Sequence, residues 1–266
     1  MTQTAPLIPE QRRESILRHL QTNHVLSYRQ LTELLGVSQM TIRRDVAVLE
    51  EAGRVTATPG GAKLVSRLIE EPSRAIKQAA GVTEKAAIAR VATDMVSDSM
   101  TIYLDAGTTI QAMRPYLQDV NNLTVVTNDL ATVQAFLDHP TADLICIGGR
   151  VDKANLSTMG RLTRLALSEL SLDLAFISSS SWDLGHGVTT PVEAKLEAKR
   201  AAIAAAESSV LVADSSKYGR FGRYRALRLD ELTTVITDDS LPAPAAAAMR
   251  AADVDLVLAE TRGAGS

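Results

Sequence analysis

The sequence predicts a mixed α/β protein in two parts: a small helical unit closed by a β-hairpin, then a larger unit on a mostly parallel sheet. Three observations carry that prediction. The 266 residues exceed the roughly 100–200 of an ordinary domain, and 45% are hydrophobic, enough to bury a substantial core. The first sixty-odd residues show helical periodicity punctuated by serine and glycine. From Thr83 on, short continuous apolar runs alternate with helical stretches, the pattern of a parallel sheet covered on both faces.

Pro9 sets up a first helix from about Glu10, with Ile16, Leu17 and Leu20 inward and Arg12, Arg13 and Arg18 at the surface. Ser27 and Gln30 have the spacing of a capping box before the apolar pair Leu31 and Leu34. Gly36 ends that short helix and Val37 plugs the turn. Ser38 is the N-cap of a third helix, whose inward face is Ile42, Val46 and Leu49 and which Gly53 stops. The segment Arg54–Val65 alternates around Pro59-Gly60-Gly61 and reads as a hairpin. Helix, short helix, tight turn, helix and hairpin is the order of a winged helix-turn-helix. With the apolar triplet inward, Ser38, Gln39, Thr41, Arg43 and Arg44 stand on or beside the outward face near the helix N-terminus. In a DNA major groove, Gln there pairs with adenine and Arg with guanine. Lys63, near the hairpin tip, suits phosphate or minor-groove contact. The bland alternative is a packing module with solvated arginines.

Residues 65–82 mix charges with Pro72 and Gly81 and read as a linker between domains 10–64 and 83–259. Short helical turns are expected around Ser66–Glu71 and Arg74–Ala79, with Leu68 and Ile69 as packing residues. Beyond it, a helix over Thr83–Val96 precedes apolar runs at Thr101–Leu104, Leu123–Thr127, Asp143–Ile147, Leu174–Ile177, Val210–Ala213, Thr233–Thr237 and Val254–Ala259. Helices are expected between them at Ile110–Leu117, Leu130–Leu137, Leu162–Leu170 and Val192–Ala206. The tail from Ala259 reads as frayed.

In such Rossmann-like sheets ligands bind beyond the carboxyl ends of the strands. Asp105-Ala106-Gly107-Thr108-Thr109 follows the first run, Thr127-Asn128 the second, Gly148-Gly149-Arg150 the third and Asp214-Ser215-Ser216-Lys217 the fifth. Gly, Thr, Asn, Asp and Lys on one sheet edge suit a small polyhydroxylated anion, with lysine and exposed N–H groups for phosphate or carboxylate. Each set alone is equally a turn with a cap.

Other chemistries lack their motifs. The chain has no Gly-x-Gly-x-x-Gly, no Walker-type loop and no Gly-x-Ser-x-Gly elbow. His19, His24, His139 and His186 are scattered without metal-ligand spacing, so no metal and no cofactor are expected; His139 reads as a loop residue and His186 as a ligand contact at best. The single cysteine, Cys146, excludes a disulfide framework. Neither a ~20-residue apolar span nor a secretory leader is apparent, so a cytoplasmic location is expected. Aromatics at 3% weigh against base-stacking single-strand readers.

The stretch LLGVSQMTIRRDVAVLEEAGRVTATPGGA closely resembles the DNA-binding signature of DeoR-type bacterial transcription regulators. It departs from that signature at Thr58-Pro59, where the family often has a basic residue and a histidine. Further on, EKAAIA, LDAGTT, VVTN, IGGR, HGVTTP, ADSSKYG and VITD resemble the family's sensor domain in order and spacing. The resemblance implies a ribose-5-phosphate-isomerase-like α/β domain that binds a phosphorylated sugar or related metabolite. By position it implicates Asp105, Gly107, Thr108, Thr109, Asn128, Gly149, Asp183, Glu193 and Lys217. The run Ser178–Asp183, SSSSWD, stands where a Gly-Ile-Asp-like stretch is usual, and it sets Trp182 beside the expected pocket.

The expected function is thus a metabolite-controlled, DNA-binding regulator, a repressor of a carbohydrate or sugar-acid operon, working as a homo-dimer or larger assembly on symmetric operator DNA. The alternative is a sugar-phosphate isomerase-like enzyme carrying a DNA-binding module, with Asp105, Asp183, Glu193 or Lys217 as acid or base. The net charge of −3 conceals a division: residues 10–64 hold eight basic and six acidic side chains, the remainder 20 and 25. The reader is mildly basic, so placement of a few arginines matters more than bulk charge.

Overall fold

Serine and glycine set the helix boundaries at the N-terminal end. The structure, a computed structural model, describes residues 7–23, 25–64 and 66–261. The chain divides into two units, the first ending at Ser66 and the second beginning at Arg67. The first runs α1 (Pro9–Asn23), β1 (Val25–Ser27), α2 (Tyr28–Leu35), α3 (Gln39–Glu51), β2 (Val55–Thr58) and β3 (Gly61–Leu64). The Ser27 hydroxyl accepts from the Gln30 N–H at 3.1 Å, and Gln30 Oε1 accepts from the Ser27 N–H at 2.8 Å. That reciprocal box satisfies two otherwise orphaned donors. Gly36 closes α2 at a φ of 64°, and Ser38 Oγ accepts from the Thr41 N–H at 3.2 Å to start α3. Ile16, Leu20, Leu31, Ile42 and Val46 form the core with Leu49, Val55 and Ala62.

Three features depart from the sequence reading. Strand β1 pairs antiparallel with β3, Ser27 opposite Gly61, so the hairpin is part of a three-stranded sheet. A Cβ on Gly61 would lie 2.3 Å from the Leu26 carbonyl oxygen, so this close strand approach demands glycine. Leu34, paired with Leu31 in the sequence reading, is 49% exposed; Leu35, four residues beyond Leu31, continues the packed row instead. Arg12, placed at the surface, reaches Asp45 through Nε and through Nη2 at 3.1 Å, and the carboxylate is buried. Helical periodicity is blind to a pair 33 residues apart.

After the short strand β4 (Ser66–Leu68), the second unit continues with α4 (Arg74–Ala79), α5 (Val82–Thr93), β5 (Thr101–Leu104), α6 (Thr108–Gln111), β6 (Thr124–Thr127), α7 (Leu130–Phe136) and β7 (Asp143–Cys146). A hairpin, β8 (Arg150–Asp152) and β9 (Ser157–Met159), leads to α8 (Arg161–Ser168), β10 (Leu172–Ser178), β11 (Ser181–Asp183) and β12 (Gly187–Thr190). Then come α9 (Ala194–Ala205), β13 (Ala206–Val212), β14 (Arg220–Gly222), β15 (Tyr224–Leu227), β16 (Thr234–Asp238), α10 (Ala243–Ala251) and β17 (Leu256–Ala259). All seven apolar runs lie in one parallel sheet, ordered β17-β16-β13-β10-β5-β6-β7. One face packs Tyr103, Val126, Ala175, Ile177 and Leu211; the other packs Ile102, Leu104, Val125, Phe176 and Val212. The chain starts at β5, builds outward through β6 and β7, then crosses to β10 and builds the other way. The strand order therefore reverses between β5 and β10, the place where open α/β sheets leave a crevice at the carboxyl ends.

The helix read over Ile110–Leu117 is broken into α6 and a 3-10 turn, Arg114–Leu117, because Pro115 has no N–H to continue the ladder. The antiparallel layer β11-β12-β15 and helix α10 have no counterpart in the sequence reading. Residues 66–71 form a strand and an irregular stretch rather than a helical turn, whereas Arg74–Ala79 is helical. Ile69, assigned to packing, is 78% exposed. Ala259 ends β17 fully buried rather than beginning a frayed tail; residues 262–266, like His24 and Val65, lie outside the described residues.

Candidate functional site

Helix α3 turns Ile42, Val46 and Leu49 into the core, and that rotation dictates what faces out. Gln39, Met40, Arg43 and Arg44 are exposed, Met40 by 78%. The Arg43 guanidinium lies 4.8 Å from the centroid of the Tyr28 ring, a cation–π contact that orients it. The hydroxyls of Ser38 and Thr41 are 2.9 Å apart and engaged in the cap. Lys63 is half-buried on β3, paired in register with Val25 and Thr56. Glu50 Oε1 accepts from the Ala57 N–H at 2.6 Å, tying the hairpin to α3. Sequence reasoning missed that clamp.

In the second unit a cavity of about 20 Å³ opens at the β5–β10 reversal. Asp105, just beyond β5, is buried and accepts from the Ser178 N–H at 3.0 Å, from Ser178 Oγ at 2.8 Å and from the Lys199 ammonium. Asn128, beyond β6, accepts from the Tyr103 hydroxyl at 2.9 Å and from the Ala106 N–H at 3.1 Å, while its amide donates to the Thr158 carbonyl at 2.8 Å. Burial and the Asp105 charge push the Tyr103 hydroxyl well above its usual range, so it stays a donor. Lys195 and Lys199, one helical turn apart on α9, both line the cavity. Glu71 enters from the segment before α4 and accepts from Lys195 at 2.5 Å and from Lys77 at 2.7 Å. Burial would raise its carboxyl, but the two lysines prevail and hold its pKa at about 2.

Of the nine effector positions, Asp105 and Asn128 line this cavity. The others lie outside its lining. The Gly107 N–H donates to Asp129 at 3.2 Å, and Thr108 and Thr109 are buried at the start of the four-residue α6, Thr109 Oγ1 lacking a partner. Gly149 has a φ of 154° and no room for a side chain against Thr163. Asp183 accepts from the backbone and ring of His186, which stacks on Phe221 at 4.5 Å; neither lines this cavity. Glu193 borders an open cleft with Arg150 and Arg200. Lys217 pairs with Asp214 at 2.9 Å beyond β13. Trp182 is fully buried in the core, its ring edge-on to Tyr218. His139, although in a loop, is buried and bound to the Leu117 carbonyl at 2.9 Å.

The sequence reading missed Glu71, Arg74, Ser178, Lys195 and Lys199. Arg74 makes two bonds to the fully buried Asp129 at 3.1 and 3.0 Å and a third to Gln111 at 2.5 Å. The i, i+4 spacing of Lys195 and Lys199 was the available signal, since it puts both ammonium groups on one helix face. Among the described residues no cluster of His, Cys, Asp and Glu could hold a metal ion, and no helix is long and apolar enough to cross a membrane.

Comparison with known proteins bears on both units. Residues 12–67 match the DeoR-like helix-turn-helix domain, and residues 81–239 match the DeoR C-terminal sensor domain. YgbI, an uncharacterized helix-turn-helix transcriptional regulator of Escherichia coli strain K12, is 41% identical over 96% of this chain and 99% of its own. The transcriptional repressor GlcR of Bacillus subtilis strain 168 is 32% identical over 86% of this chain and 88% of its own. A ribose 5-phosphate isomerase A from Methanocaldococcus jannaschii aligns over 50% of this chain and 53% of its own at 16% identity, with a TM-score of 0.37, a likeness too slight to bear on function. With both domains matched in order and full-length relatives named as regulators rather than enzymes, the chain belongs to the DeoR family of helix-turn-helix transcriptional regulators.

Proposed function

We propose that this protein is a cytoplasmic repressor of a carbohydrate or sugar-acid operon, released from or retained on its operator by a phosphorylated sugar or related small anion. The observation that carries the DNA half is the outward set Gln39, Met40, Arg43 and Arg44 at the N-terminal end of α3, held by a core that leaves them no inward alternative. Ser38 and Thr41 shape that helix start, and Lys63 joins it as a phosphate contact. One such helix reads too few base pairs for useful specificity, so a homo-dimer or larger assembly on a two-fold operator is part of the reading.

The effector half rests on the reversal-point cavity. Lys195 and Lys199 supply charge for a phosphate or carboxylate, while Asp105, Asn128 and Ser178 offer partners for hydroxyls. Gly107, Thr108, Thr109 and Gly149 complete the effector-side loops of this reading, and Asp183, Glu193 and Lys217 are assigned to contacts with a larger effector outside the cavity. The kinship with a relative named as a repressor supports the direction of regulation.

Selection of duplexes from a random pool tests the DNA half. The wild type should enrich a symmetric motif whose affinity falls steeply with salt, and the Arg43→Ala, Arg44→Ala double variant should not. Equal enrichment by both proteins would overturn the assignment of α3. Adding phosphorylated sugars and sugar acids one at a time to the protein–DNA complex then identifies the effector.

A further inference from the structure

We propose that Glu71 is a built-in anion that occupies the effector site: a phosphorylated effector displaces it from Lys77 and Lys195 and so frees the segment joining the DNA-binding unit to the sensor. The inference rests on reading the cavity as an anion site and adds how that site is guarded.

The cavity is too small as it stands. About 20 Å³ has room for one water, whereas small-molecule sites run to roughly 300 Å³ or more. A sugar phosphate must therefore push something aside. Asp105 is held from three sides, by Lys199, by Ser178 and by its place at the end of a central strand. Lys195 and Lys199 belong to a twelve-residue helix. Glu71 differs from all of these. It sits in an irregular stretch, 69–73, between β4 and α4, beside Ile69, which is 78% exposed. Within that stretch Glu71 alone makes side-chain hydrogen bonds or ion pairs. Its carboxylate is thus what fills the site and what fastens the middle of the segment, between the β4–β14 pairing on one side and Arg74, bound to Asp129, on the other.

Charge favours the exchange. Two ammonium groups, Lys195 and Lys199, and two carboxylates, Glu71 and Asp105, line the cavity and balance one another. When Glu71 leaves, the cavity enlarges and turns positive together, and Lys195 and Lys77 regain donors that a phosphate dianion can take. The ligand then meets its lysines in place of a carboxylate rather than in place of water. Glu71 also lies a few residues beyond Ser66, the last residue of the DNA-binding unit, so its release acts on the tether.

The test uses the full-length protein with inorganic phosphate and ribose 5-phosphate as probes, measured by titration calorimetry. Glu71→Gln keeps the volume and removes the charge; it should bind the probes at least tenfold more tightly than the wild type. Glu71→Ala, the second variant, should move the same way. Hydrogen exchange across residues 67–73 should be faster in the wild type saturated with probe, and in ligand-free Glu71→Gln, than in the ligand-free wild type. Unchanged or weaker binding by both variants, with binding abolished in Lys195→Met, overturns the role of Glu71 and leaves the anion site standing. Binding by neither wild type nor variants at millimolar probe overturns both.

Discussion

The two units treat their polar side chains in opposite ways. On α3, Gln39, Arg43 and Arg44 reach into solvent, and the deeply held ion pair of that unit, Arg12 with Asp45, serves packing. At the β5–β10 reversal, Arg74, Lys77, Lys195 and Lys199 are each largely withdrawn from solvent against a carboxylate. The contrast separates two modes of recognition. An open surface needs only the arrival of its partner, and its charges contribute little to stability beforehand. A site of buried, satisfied charges must exchange one partner for another, because an unpaired ion there is far more costly than a substituted one. Substitutions should therefore split cleanly: charges at the reversal point affect folding, whereas the exposed arginines of α3 affect DNA affinity alone.

The largest effect should come from Asp129→Ala. Asp129 is fully buried, takes two bonds from Arg74, caps α7 through the Ala131 N–H at 3.0 Å and holds the Gly107 N–H. Removing it strands a buried guanidinium, and the second unit should lose about 3–5 kcal/mol in urea unfolding. A loss below about 1 kcal/mol would show that the reversal-point charges are hydrated after all, and the contrast would collapse.

Arg43→Ala with Arg44→Ala comes next. Each base contact is worth about 1–3 kcal/mol, so the pair should weaken operator binding by at least about 2 kcal/mol. Thermal stability should move by no more than about 0.5 kcal/mol, since both side chains are exposed. An equal drop in stability would mean that the Arg43 contact with Tyr28 is structural.

How much of this was legible follows the same division. The N-terminal unit is written locally: capping boxes span three residues and helix faces repeat every three or four. Ser27, Gln30, Ser38 and Gly36 therefore announce their roles in sequence. The seven parallel strands were legible for a related reason, being short runs apolar on both faces. The buried charge of the sensor was not. Arg74 meets Asp129 across 55 residues and Glu71 meets Lys195 across 124, and neither separation leaves a local trace. A segment with proline and mixed charge, 65–82, looks like solvated linker until its partners are known. Asp105 and Asn128 could be picked out because they directly follow strands that the apolar pattern had already located.

Gly61→Ala sharpens the comparison from the side of the small unit. Its effect should be steric: a methyl group 2.3 Å from the Leu26 oxygen must part β1 from β3, at a cost of about 1–3 kcal/mol by thermal unfolding. DNA affinity should fall with it, because Glu50 links the hairpin to α3. Unchanged stability would show that β1 is dispensable to the wing.

Ser38→Ala should have the smallest effect and decides the most delicate assignment. Ser38 stands at the end of α3 where the proposed DNA contacts lie, yet its hydroxyl accepts from the Thr41 N–H at 3.2 Å and lies 2.9 Å from the Thr41 hydroxyl. A side chain so engaged orients the recognition helix by satisfying one of its first donors, and alanine there should cost about 1 kcal/mol of stability. Asparagine caps about as well as serine but presents a different group to a duplex. If Ser38 acts by capping, Ser38→Asn should retain both stability and DNA affinity. If Asn restores stability while affinity stays as low as in Ser38→Ala, the hydroxyl itself touches DNA, and Ser38 then belongs with Arg43 and Arg44 rather than with the scaffold that aims them.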